Sequence, residues 1–258
     1  RQPVNERRES LAPFGALSFA YFASIALLNV YAPLWFASLG FSVLAIGAIG
    51  SLQAWTRVVA PYAWSWTGDH WEQGARRATL LRIASSLALV FAAALLWARG
   101  YGAVSVAVLL LFLANGGIVP LAEAALAQRL ATAHWLDVAR YGRVRVWGSV
   151  GFIVSVTAFG PLLQATGIAA LPAFTVGVIG ALAVAAWRLP RGMSSQATTV
   201  QAAPGVLAVL RRPVVAWFFA GVFLTVLVHT ALYTFFSLYL VELGYGKTAV
   251  GLLGAVSI

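Results

Sequence analysis

Residues 34–52, LWFASLGFSVLAIGAIGSL, return without a gap as residues 238–256, LYLVELGYGKTAVGLLGAV. At this spacing of 204, Leu34/Leu238, Leu39/Leu243, Gly40/Gly244, Ala45/Ala249, Gly47/Gly251 and Gly50/Gly254 are identical, and Phe41/Tyr245 is aromatic in both copies. Six apolar spans lie between the copies, so both cross a bilayer in the same direction. A parallel six-span repeat is a transporter signature, with the solute site between the two halves.

Hydrophobic residues make up 61% of the 258 and charged residues only 9%, and the mean hydropathy is +0.87. Such a chain reads as a polytopic membrane protein. Runs long enough to cross about 30 Å of hydrocarbon occupy residues 11–37, 43–67, 79–98, 102–128, 143–165, 168–187 and 213–240. The expected fold is therefore all-α and polytopic: an N-terminal six-helix bundle over 11–187, a linker over 188–212, and the first helices of a truncated second bundle over 213–258. The linker stretch, RLPRGMSSQATTVQAAPGVLAVLRRP, is polar and basic with Ser, Thr and Pro, as a cytoplasmic connection should be. AVGLLGAVSI begins a further apolar run and the chain opens on Arg1, so both ends read as cut. The first run is too long and too aromatic for a signal-peptide core and reads as a retained span.

Seventeen basic residues against seven acidic ones give a net charge of +10. With the N-terminus inside, Arg1, Arg7, Arg8, Arg76, Arg77, Arg82, Arg129, Arg140, Arg143, Arg145, Arg188, Arg191, Arg211 and Arg212 all fall on the inner side, and only Arg99 and Lys247 fall outside. This is the positive-inside pattern, so the basic charge sets topology and does not point to nucleic acid. Trp35, Trp64, Trp66, Trp97, Trp187 and Trp217 fall near span ends, where indole rings settle at the headgroups. Trp55 does not, and reads as an interior residue. The expected setting is a bacterial inner membrane, with lipid as the surrounding partner.

Three stretches carry a resemblance to a known family: YAPLWFASLGFSVLAIGAIGSLQAWTRVVAP (31–61), SWTGDHWEQGARR (65–77) and YGRVRVWGSVGF (141–152). Together with the six-span repeat they resemble the major facilitator superfamily, in particular the phenylpropionate-permease-like group related to lactose permease, over nearly the whole chain. That resemblance implies that Glu123 and Arg145 pair and hold solute. It also implies that Asp69, Arg76 and Arg77, in a degenerate copy of the loop between spans two and three, latch the cytoplasmic side. It further implies proton-coupled symport and a full-length protein that works as a monomer.

An ionisable side chain near the bilayer centre costs about 2.5–3.5 kcal/mol even on lenient insertion scales, so it faces a cavity or a partner. Arg57 is near the middle of span two, with Gln53 one turn away on the same face. Glu123 and Arg145 lie at equal depth, about 5–10 Å from the inner ends of spans four and five. Arg143 and Arg145 are about 200° apart on a helix and cannot share a cavity. Arg145, on a stripe with Gly148 and Phe152, is assigned to the cavity and Arg143 to headgroups; an interfacial anchor is the competing role for Arg145. Arg57 pairs either with Glu123 or with solute. Two guanidinium groups and one carboxylate leave an excess positive charge, which an anionic solute or an acid of the second half would meet.

Asn29 shares a helical stripe with Ser18, Phe22 and Ile25. Asn29 and Asn115 read as solute contacts or as interhelical hydrogen-bonding residues. Phe22, Tyr31 and Trp55 would pack an apolar body. His229, mid-span in the seventh run, is a proton-coupling candidate beside Glu123, with a packing histidine as the alternative.

The chain has no cysteine, no P-loop, no H-E-x-x-H and no G-x-S-x-G, and its histidines are scattered, so no metal, cofactor or catalytic residue is expected. A retinal protein needs a lysine inside its last helix, but Lys247 falls in a loop. The leading reading is a secondary active transporter, a proton symporter moving a small organic solute by alternating access, with an aromatic carboxylate favoured. A sugar or nucleoside symporter is the alternative within this fold, and a non-transporting receptor or an intramembrane enzyme the alternative outside it.

Overall fold

The computed structural model describes residues 11–70, 77–130, 137–190 and 211–256. Its helices are α1 (Ala12–Ser38), α2 (Val43–His70), α3 (Arg77–Ala94), α4 (Gly100–Asn115), α5 (Ile118–Leu130), α6 (Val138–Thr166), α7 (Leu171–Trp187) after a 3-10 turn at Ile168–Ala170, α8 (Pro213–Glu242) and α9 (Lys247–Val256). Seven stretches among the described residues are long and apolar enough to cross a membrane, with α4 and α5 together forming one of them.

The repeat seen in the sequence is also a repeat of hydrogen bonds. Leu39 N–H donates to Trp35 C=O, Gly40 to Ala37 and Phe41 to Phe36; at the same offset Leu243 donates to Tyr239, Gly244 to Val241 and Tyr245 to Leu240. Gly40 (φ 82°) and Gly244 (φ 87°) both adopt the left-handed conformation that ends a helix cheaply only when no Cβ is present. The second helix of each copy then starts at matching positions, Val43 and Lys247, so Lys247 opens a helix instead of lying in the expected loop.

The two copies also pack reciprocally. A Cβ on Gly50 would lie 2.9 Å from Thr234 Oγ1 and one on Gly47 3.3 Å from Phe235 Cζ; conversely, one on Gly254 would lie 3.6 Å from Val30 Cγ2 and one on Gly251 would run into the Tyr31 hydroxyl. Thr234 and Phe235 are Val30 and Tyr31 shifted by the repeat spacing. Residue i touching j while the equivalent of j touches the equivalent of i is the mark of a two-fold relation. Helices in lipid associate through close packing, and small residues permit it.

The same logic seats α1 against α6. Added Cβ atoms on Gly148 and Gly151 would strike the Phe22 ring and the Phe19 carbonyl. Ser155 Oγ donates to Ala23 C=O at 2.8 Å and Tyr31 Oη to Val156 C=O at 2.7 Å. α1 is consequently the most enclosed helix, whereas α8 is exposed along most of its length.

The fourth span, expected as one run over 102–128, is broken into α4 and α5. Gly116 and Gly117 form the break, and Pro120, which has no N–H to donate, sits in the first turn of α5. Trp64 Nε1 donates to the Leu113 carbonyl at 2.9 Å, which satisfies a polar group that the break frees inside an apolar layer. The Trp64 ring lies over Gly117 with no room for a side chain there. Trp35, in the last turn of α1, is buried among the helices, and Trp55 is 68% exposed. Trp35 packs on Phe36 with ring centroids 5.5 Å apart. The linker expected over 188–212 lies largely outside the described residues, as do the N-terminal arginines.

Candidate functional site

The glycines of α6 that admit α1 decide where Arg145 goes. With Gly148 against the Phe22 ring, Arg145 one turn earlier places its guanidinium 4.7 Å from the centroid of that ring. A cation over an aromatic face is held electrostatically, by about 0.5–2 kcal/mol. The broken fourth span brings Glu123 to the same point, with Arg145 Nη1 3.4 Å from Glu123 Oε1. The two side chains retain 46% and 39% of their exposure. A pair this solvated is worth about 0–1 kcal/mol, so a solute can open it at small cost.

Beyond this pair lies a cavity of about 390 Å³. Tyr21, Phe22, Ile25 and Asn29 of α1 line one wall, Ser149 and Phe152 join Arg145 on α6, and Arg57 enters from α2. The stripe Phe22, Ile25, Asn29 thus faces the cavity together. Tyr21 and Ser149 are lining residues that the sequence reading passed over; Ser149 was detectable, one turn beyond Arg145.

Arg57 is exposed, and among the described residues no ion pair or hydrogen bond engages it. Of the two partners open to it, Glu123 is taken by Arg145. Gln53 Nε2 donates to Asn29 Oδ1 at 2.7 Å, joining α2 to α1 at the cavity wall. A smaller cavity of about 40 Å³ continues beyond, where Asn29, Gln53 and Arg57 meet Thr230 and Thr234 of α8.

Other candidates fall elsewhere. Asn115 is 1% exposed at the end of α4, with neither amide atom hydrogen bonded, and does not line the main cavity. His229 is exposed on α8, its Nδ1 2.8 Å from Thr225 C=O, and is not a lining residue. Tyr31 is fully buried and spends its hydroxyl on Val156, and neither it nor the exposed Trp55 lines the main cavity. Arg76 and the Asp69 side chain lie outside what is described; Arg77 opens α3. Among the described residues no three His, Cys, Asp or Glu side chains gather as a metal site would require.

Comparison with known proteins agrees with this architecture. The 3-phenylpropionic acid transporter assigned as probable in Escherichia coli (strain K12) is 30% identical over 256 residues, covering 93% of this chain and 62% of that protein. The maltose permease of Geobacillus stearothermophilus is 32% identical over 244 residues, covering 91% and 57%. The chain thus spans about three-fifths of the length of these curated relatives. The crystal structure of the nucleoside transporter NupG, as its D323A mutant, superposes with a TM-score of 0.71 at 18% identity over 87% of this chain and 56% of that one. A second NupG structure gives 0.60 at 19% identity over 69% and 44%. The model of the MFS_1 like family matches residues 14–258, so the chain belongs to that family, within the major facilitator superfamily of membrane transporters.

Proposed function

We propose that the protein to which this chain belongs is a secondary active transporter that moves a small organic anion with an aromatic body in symport with protons, by alternating access. The observation that carries this reading is the charge of the cavity. Arg145 is neutralised by Glu123, whereas Arg57 has no partner among the described residues. A guanidinium stays protonated and binds a carboxylate with two parallel hydrogen bonds. Tyr21, Phe22 and Phe152 supply the flat apolar walls that an aromatic body would pack against.

Protonation of Glu123 would release Arg145, which makes this carboxyl a better placed coupling group than His229. The positive-inside distribution supports an inner membrane with the N-terminus in the cytoplasm, and Asp69, Arg76 and Arg77 are proposed as the cytoplasmic latch. The maltose permease relative keeps one second reading in play, a sugar whose hydroxyls bridge the Glu123–Arg145 pair.

The test is uptake of labelled 3-phenylpropionate by the full-length protein in proteoliposomes, with and without an inward proton gradient. Accumulation that needs the gradient and is competed by other aromatic acids supports the proposal. Uptake of maltose or uridine with no competition by the acid replaces the anion, and gradient-independent uptake removes proton coupling.

A further inference from the structure

The reciprocal packing of the two repeats creates a second pocket, of about 110 Å³, between α1, α8 and α9. It is the two-fold counterpart of the small cavity beside Arg57. Pro33, Ile46 and Gly50 line that one, and their equivalents at the repeat spacing, Ser237, Val250 and Gly254, line this one. Leu28 and Leu232 correspond in the same way, and Thr234 of one cavity answers Val30 of the other. The polar groups differ. The first cavity carries Gln53 and the charged Arg57, whereas among the residues lining the second the polar side chains are Asn29 and Ser237.

Ser237 is the unusual member. Thr225, Thr230 and Thr234 on the same helix each return their hydroxyl to the carbonyl four residues earlier. Ser237 is 2% exposed and its Oγ has no hydrogen-bond partner. A buried hydroxyl without a partner costs about 1–3 kcal/mol, and such a group in a cavity wall invites a ligand atom. Asn29 stands beside it, with its Oδ1 engaged by Gln53, and lines the 390 Å³ cavity as well. The remaining walls are Val30, Leu232, Phe236, Val250, Leu253 and Gly254, all apolar.

We propose that this pocket is a second subsite, in which Ser237 hydrogen bonds an uncharged hydroxyl or carbonyl group at the end of the solute remote from its anionic group. The assignment of the anionic end rests on the function proposed above; the Ser237 contact does not. No charged side chain lines the pocket, so it rejects a second ion and selects a neutral polar group on an apolar body.

The experiment uses the full-length protein in proteoliposomes and compares pairs of solutes that differ by one hydroxyl: 3-(4-hydroxyphenyl)propionate against 3-phenylpropionate, and uridine against its deoxy forms. Ser237→Ala is the variant, with Ser105→Ala as control, because Ser105 also has an unpartnered buried hydroxyl but lines none of these cavities. The wild type is expected to take up one hydroxylated member about tenfold better than its partner, a hydrogen bond's worth. Ser237→Ala removes that preference and leaves the other member unchanged, and heat stability does not fall. Equal effects on both members, or none, overturn the subsite. If uridine and not the acids shows the Ser237-dependent preference, the anion reading fails and the subsite stands. Uptake of none of these solutes overturns both.

Discussion

Replacing Gly117 by alanine tests the break in the fourth span on which the position of Glu123 depends. The new Cβ would stand 2.5 Å from Trp64 Cδ1 and 2.7 Å from Cδ2, and against Cγ as well. Carbon atoms pack at about 3.5–4.0 Å, so the ring must retreat by about 1 Å. It cannot do so while Nε1 donates to Leu113 C=O. Overpacking costs about 1–3 kcal/mol, and loss of an interhelical hydrogen bond adds about 0.6–2 kcal/mol, for a total of about 1.6–5 kcal/mol. Heat unfolding of the purified full-length protein in detergent reads this loss. Gly142→Ala and Gly177→Ala are the controls: a Cβ at either meets nothing within 4 Å, and stability holds or rises by about 0.5–1 kcal/mol. The decisive measurement is the double variant Trp64→Ala/Gly117→Ala. With Cγ and the ring gone the alanine at 117 has space, so the double should be no less stable than Trp64→Ala alone, a coupling of at least about 1.5 kcal/mol. Purely additive losses, or a Gly117→Ala protein as stable as wild type, would refute the reasoning.

Arg57→Gln removes a cation that engages no partner in the described structure, so it should leave heat stability within about 0.5 kcal/mol and reduce uptake of 3-phenylpropionate more than tenfold; a stability loss with uptake retained would make Arg57 structural. Glu123→Gln should cost no more than about 1 kcal/mol, because both partners are well exposed, while abolishing the response of uptake to an imposed proton gradient. Arg82 Nη2 donates to Leu189 C=O at 2.7 Å and to Trp187 C=O at 3.4 Å, and its guanidinium lies 5.5 Å from the Trp187 ring centroid. Arg82→Met keeps the stem but loses a cation at the C-terminal end of α7, so unfolding should come about 2 kcal/mol earlier; an unchanged denaturation curve would deny the cap any role.

The sequence alone determined the class of fold and the count of crossings, because twenty apolar residues in lipid have one low-energy backbone, the helix. It also determined the repeat, since Gly40 and Gly244 end equivalent helices for the same steric reason, and the shared depth of Glu123 and Arg145, which follows from rise per residue. Partnership was a tertiary matter. Which carboxylate takes which arginine and whether Asn29 finds Gln53 depend on how far helices rotate and approach, and that is set by contacts such as Gly148 on Phe22 and Gly151 on Phe19. The break at Gly116–Gly117 was equally hidden, since Pro120 in an apolar run signals a kink but not its place. The unpartnered hydroxyl of Ser237 shows the limit most plainly: Thr225, Thr230 and Thr234 on α8 satisfy themselves within the helix, and only the packing of the two repeats makes Ser237 part of a pocket wall.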